Sequence, residues 1–138
     1  MPPVNIKSVF PRTVGRARNG AQPTFHTELH WHPAHPHAVR LVTAHPESGS
    51  RTAWVFARDL LDAGLHAPSG IGDVTVAPTL PGITEILLRS HVGAGYNLAL
   101  RYPAAALAKF VDDTHLQVPA GSEYYAFNPA MLFGRETA

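Results

Sequence analysis

The sequence predicts an α+β domain: antiparallel sheets of about six or more strands, with two to three helices set to one side. Three features carry that prediction. Apolar and polar residues alternate with period two in several short stretches, the mark of half-buried strands. Proline- and glycine-rich turns separate these stretches at hairpin spacing. Helical spacing replaces the alternation in only two or three places, so the order is about three strands, a short helix, three strands, a longer helix and a short tail.

Residues 1–22 are rich in Pro, Gly, Arg and Asn, with scattered Val4, Ile6, Val9, Phe10 and Val14, and read as a flexible basic leader. Val4 to Phe10 could at most add an edge strand. The remainder, 23–138, reads as a single domain. Thr24 to His32 alternates cleanly, with Phe25, Thr27, Leu29 and Trp31 on one face and His26, Glu28, His30 and His32 on the other. Pro33 and Pro36 turn the chain, and Ala38 to Ala44 forms the next strand. Pro46 to Ser50 is a second turn by composition.

The chain then enters TAWVFARDLLDAGLHAPSGIGDVTVAP, residues 52–78. Trp54, Val55 and Phe56 suit a strand. Ala57 to Ala63 has Leu60 and Leu61 on one side of a helix and Arg58, Asp59 and Asp62 on the other. Gly64 reads as the left-handed stop that ends it, with Leu65 folding back onto Leu60. Pro68, Gly70 and Gly72 break the chain, and Val74 and Val76 restart it as a strand. Ile83 to Arg89 and Gly95 to Tyr102 are two further strands joined by HVGAG. Tyr96, Leu98, Leu100 and Tyr102 share one face of the second. Pro103 suits the first position of a helix running to roughly His115, with Ala106, Leu107, Phe110 and Val111 as its apolar stripe. Asn128-Pro129 opens a last short helix over 130–133.

The segment WVFARDLLDAGL, with its glycine-bracketed turn and GDVTVAP, resembles the middle of the SsgA-like proteins, sporulation-specific cell-division regulators of actinomycetes. LHWHPAHPHAVRLVTA is similar to the same family's first hairpin. The two segments together cover roughly a third to a half of the chain. The resemblance implies two antiparallel sheets with packed helices, similar to the whirly single-strand-binding fold, and a homo-oligomer, a trimer. It also implies a non-enzymatic, cytoplasmic regulator at division septa. Such a protein acts by protein contacts with the FtsZ machinery, directly or through SsgA-like paralogues. The histidine-rich hairpin departs from the family, whose members tend to carry Asp or Arg near these positions.

Composition narrows the chemistry. The 138 residues are 45% apolar and 15% charged, with no cysteine, which rules out disulfides, thiolate metal sites and a cysteine nucleophile. The longest uncharged runs fall short of a membrane span, and the N-terminus has no apolar core of the signal-peptide kind. Net charge is +1, with Lys7, Arg12, Arg16 and Arg18 and no acid in the first 23 residues. The rest of the chain is therefore net negative.

Nine histidines invite a metal reading, and His26, His30 and His32 share one strand face. No HExxH-type spacing fixes a site, and the polar side of an amphipathic strand explains them more simply. No GxSxG or phosphate loop is present, and adjacent Asp112 and Asp113 diverge on a helix. No cofactor is implied. A single-stranded nucleic-acid binder using a sheet face is the alternative reading, drawing on Trp31, Arg40, Tyr96, Arg101, Tyr102, Tyr124 and Tyr125. Against it, Trp31, Tyr96 and Tyr102 share faces with leucine, and the net negative body disfavours phosphate contacts. For protein contacts, the candidates are Arg58, Asp59 and Asp62 on the short helix, and the following loop from His66 to Asp73.

Overall fold

Seven strands and two helices make up the computed structural model, which describes residues 4–17, 19–89 and 97–122. In chain order these are β1 (Ile6–Ala17), β2 (Thr24–Trp31), β3 (Ala38–Ala44), β4 (Arg51–Ala57), α1 (Arg58–Gly64), β5 (Val74–Leu80), β6 (Ile83–Arg89), β7 (Asn97–Pro103) and α2 (Ala104–Gln117). All strand pairs are antiparallel, in the order β4-β3-β2-β1-β7-β6-β5. The α+β class expected from the sequence is the one observed. Tyr96, the HVGAG segment, Tyr124, Tyr125 and the expected helix over 130–133 lie outside the described residues.

The strand at the centre of the sheet comes from the stretch that reads as a leader. β1 pairs with β2 from Ile6↔Trp31 to Phe10↔Thr27, shifts register, and resumes at Thr13↔Phe25. The shift places one extra residue in β1 beside Pro11, which has no N–H to give a ladder. Beyond it, Gly15 to Ala17 pair instead with Leu100 to Leu98 of β7. One bulged strand thus joins two four-stranded halves, β4-β3-β2-β1 and β1-β7-β6-β5, and lets the sheet curl. Gly15 sits at the handover, where a Cβ would lie 2.9 Å from Leu98 Cδ1 and 3.0 Å from Phe25 Cε2. No side chain fits there without displacing the core.

The alternation expected for β2 holds: Phe25, Thr27, Leu29 and Trp31 are buried, while His26, Glu28 and His30 are half-exposed. Leu98, Leu100 and Tyr102 of β7 are likewise buried on one face. These side chains meet Val39, Leu41, Leu61, Val76 and Ile86, and the stripe Leu107, Phe110 and Val111 of α2, in one apolar cluster. Polar atoms inside it are chained. Tyr102 donates its hydroxyl to Thr27 Oγ1 at 2.9 Å, Thr27 and Thr13 share a hydrogen bond of 2.8 Å, and Thr13 donates to the Phe10 carbonyl at 3.2 Å. A single proton direction satisfies all three bonds, so the threonines cost little in the core. Burial pushes the Tyr102 phenol up to about 12.

Both helices start one residue later than expected. Pro103 is the extended residue before α2, and Ala57 is the extended residue before α1. Gly64 does not end α1 in a left-handed conformation: it is absent from the positive-φ glycines, and Leu65 caps the helix with φ −69° and ψ −22°. What Gly64 supplies is closeness. A Cβ there would collide with the Val76 Cβ and Cγ1, so the helix backbone rests directly on β5.

Candidate functional site

Of the five contact candidates, Arg58 is misplaced by the sequence reading. It is 1% exposed, and its guanidinium lies 5.7 Å from the centre of the Trp31 ring. Its Nη1 donates to the Val118 carbonyl at 2.7 Å and to Thr114 Oγ1 at 3.4 Å. Thr114 in turn donates to the Val111 carbonyl at 2.7 Å. The physical reason is the end of α2, whose last carbonyls have no partner within the helix and favour a cation. A charged residue on a short amphipathic helix defaults to the solvent side of a helical wheel. The acceptors that override this default lie 56 and 60 residues away, with no local signal.

The other four lie on α1 and in the loop that follows it. Asp59, His66 and Asp73 are exposed and Asp62 is half-buried. The 65–73 loop folds back over α1, since a Cβ on Gly70 would stand 3.1 Å from Leu60 Cδ1. The Ser69↔Val76 bridge pins it to β5, and the Asp73 carbonyl accepts the Arg89 N–H at 2.8 Å. Sequence reasoning takes in the whole loop from His66 to Asp73 but singles out only its ends. Ile71, between Gly70 and Gly72, is 103% exposed at the loop's tip. Its signal was visible: a branched apolar residue between two glycines has no neighbour to bury it. An exposed aliphatic tip on a loop that carries His66 and Asp73 and follows the helix with Asp59 and Asp62 can dock on a partner protein. It offers no nucleophile–base pair.

The histidine face is a second cluster. His26 Nε2 and His30 Nε2 each lie 2.8 Å from a different oxygen of Glu28. Hydrogen bonds from these rings, with His26 first, hold the Glu28 carboxyl down at about 2 against an ordinary 4.5. His32 Nδ1 accepts the Ala34 N–H at 2.9 Å, which leaves the neutral ring's proton on Nε2 as an outward donor. The rings are thus set to donate, whereas a metal needs unprotonated nitrogens that converge. Among the described residues, no three His, Asp or Glu side chains are placed to hold a metal ion.

Trp31 and Tyr102, aromatics that a nucleic-acid platform would need, are 2% and 1% exposed and face the core. Arg101 and Arg16 both reach Glu85, at 3.1 Å and 3.4 Å, which neutralises part of that face. No described helix is long and apolar enough to cross a membrane.

Comparison with known proteins supplies the remaining context. The family described as "Streptomyces sporulation and cell division protein, SsgA" matches residues 25–123. The sporulation-specific cell division protein SsgB of Streptomyces coelicolor is 41% identical over 103 residues, 72% of this chain and 72% of its own. A sporulation-specific cell division protein of Frankia casuarinae is 35% identical over 95 residues, 69% of this chain and 64% of its own. Among solved structures, one from work on SsgB in longitudinal cell division during sporulation of S. coelicolor superposes with a TM-score of 0.75 at 30% identity. It covers 91% of this chain and 97% of that one. An SsgA-like protein of Thermobifida fusca shares the fold, with a TM-score of 0.74 at 23% identity over 97% of this chain and 96% of its own.

Proposed function

The chain belongs to the SsgA family of sporulation and cell division proteins, and from that premise we propose that it is a non-enzymatic regulator of sporulation-associated septation. It works by protein contacts, helping to localise the FtsZ machinery at the septum, directly or through an SsgA-like paralogue. The observation that carries this reading is the family match over residues 25–123, which spans β2 to α2 and both clusters described above. A trimer would multiply weak contacts into tight recruitment through effective concentration, with no bond-making step.

The contact surface we assign to this role is the α1 end: Asp59, Asp62, His66, Ile71 and Asp73. An exposed aliphatic tip with polar side chains on the same loop and the preceding helix suits a small docking site, where an apolar anchor supplies energy and polar neighbours give specificity. The inward-facing Trp31 and Tyr102 weigh against the nucleic-acid alternative.

Co-sedimentation of the untagged protein with polymerised FtsZ from the same source, with oligomeric mass measured in parallel, tests the proposal. Saturable pelleting of a trimer-sized species is expected, together with loss on Ile71→Asp. A well-folded protein that stays in the supernatant, alone and with its paralogues present, would overturn it.

A further inference from the structure

We propose that the outer face of the β4-β3-β2-β1 half binds an extended acidic segment of a partner protein. Lys7 and Arg40 take its carboxylates, and Val55, at the β4 end of the same row, takes an aliphatic side chain. This site is on the sheet face and does not depend on the recruitment reading.

The cross-strand register builds it. Lys7 pairs with His30, His30 with Arg40, and Arg40 with Val55, so the four side chains form one row across four strands. Directly opposed residues in antiparallel strands stand about 5 Å apart on the same face. The row therefore spans the half-sheet as a continuous track. A groove of about 510 Å³ lies against its β2, β3 and β4 members, lined by Asn5, His30, His32, His35, Arg40 and Val55 among others.

Charge complementarity names the occupant. Arg40 is exposed and makes no ion pair among the described residues. His32 presents its Nε2–H outward because Ala34 holds the other nitrogen. Glu28 is the one acid in these cross-strand rows, and its oxygens are taken by His26 and His30. The face is thus a set of donors and cations whose only internal anion is already occupied. Val55, 66% exposed, and Val9, 44% exposed, lie on the same side. A carboxylate-bearing chain with interspersed aliphatic residues matches both features. A nucleic acid matches only the first, because Phe25, Trp31, Trp54 and Phe56 all turn to the core side and leave no described Phe, Tyr or Trp ring on this face for base stacking.

The test is a titration of the ¹⁵N-labelled full chain with an acetylated, amidated Glu-Glu-Leu-Glu-Glu peptide, followed by amide NMR in about 50 mM salt to limit screening. Saturable shifts centred on Lys7, His30, Arg40 and Val55 are expected. Lys7→Ala and Arg40→Gln should each weaken binding roughly fivefold, as for loss of one partly exposed charge contact. Both changes are at exposed positions; if one variant loses its native spectrum, the other decides. Absence of saturable shifts would overturn the proposal, as would equal binding of the Gln-Gln-Leu-Gln-Gln counterpart or unchanged affinity in the folded variants. Tighter binding of an oligo(dT) probe on the same residues would reassign the face to nucleic acid.

Discussion

Arg58 ties three elements at one point: it begins α1, lies against Trp31 of β2, and caps the carbonyl end of α2. Removing the guanidinium leaves the Val118 carbonyl and the Thr114 hydroxyl without that donor, in a site closed to water. Charge-assisted hydrogen bonds of this kind are individually strong, so Arg58→Ala should cost about 2–4 kcal/mol in urea denaturation. Lysine should restore only part of it, because its compact ammonium sits on a shorter, unforked stem. An Arg58→Ala protein of wild-type stability would show that the interaction is marginal. Glu28 gives a pH signature. Its folded value of about 2 lies below the ordinary 4.5, so the stabilisation is complete above about pH 4.5 and is lost as pH falls through 2. Glu28→Gln should therefore flatten the fall in Tm between those limits, and cost about 1 kcal/mol at neutral pH after solvent screening. A wild-type slope in the variant would mean that the two imidazoles hold the carboxylate no better than water does.

Helix α1 is short, seven residues, and too short to stand on propensity alone. Packing on β5 holds it, and Gly64 sets the distance. Gly64→Ala gains helix propensity of about 1 kcal/mol but drives a methyl into Val76, so a net loss of about 1–3 kcal/mol is expected by thermal or urea unfolding. A stabilised Gly64→Ala would mean that β5 yields without cost. The sequence made several elements legible for a plain reason: where one face meets core and the other meets water, composition records it. Phe25 to Trp31 alternate, Leu107, Phe110 and Val111 recur at helical spacing, and both elements were placed to within a few residues. Gly64 was misread because glycine has two uses, left-handed stop and close approach, and only the position of Val76 distinguishes them. The four surviving contact candidates were legible as polar residues on a helix and loop. The Lys7-His30-Arg40-Val55 row was not, because cross-strand register is a property of the pairing and not of either strand alone.

β1 decides whether the protein is one cooperative body. Its N-terminal part carries the β4-β3-β2 half and its C-terminal part carries the β7-β6-β5 half, so it is the only described strand hydrogen-bonded to both. The composition of residues 1–22 hid this. Pro11 breaks the alternation, the arginines suggest solvent, and the family match itself begins only at Phe25. A boundary drawn at residue 22 falls in the turn between β1 and β2 and would strand both halves. Deleting residues 1–17 removes the Thr13 link to Thr27, the Phe10 ring stacked edge-on at 4.8 Å to Tyr102, and every β1 ladder bond. Each half would then expose an apolar face and a raw strand edge, a recognised route to association. The truncated chain should lose its sharp urea transition and its near-ultraviolet dichroism, and aggregate under conditions where the full chain stays dispersed. A freely detachable leader makes the opposite forecast, an unchanged transition midpoint after truncation. If the truncated chain did unfold sharply at the original midpoint, α2 and the remaining ladders would have to hold the two halves together without their shared strand.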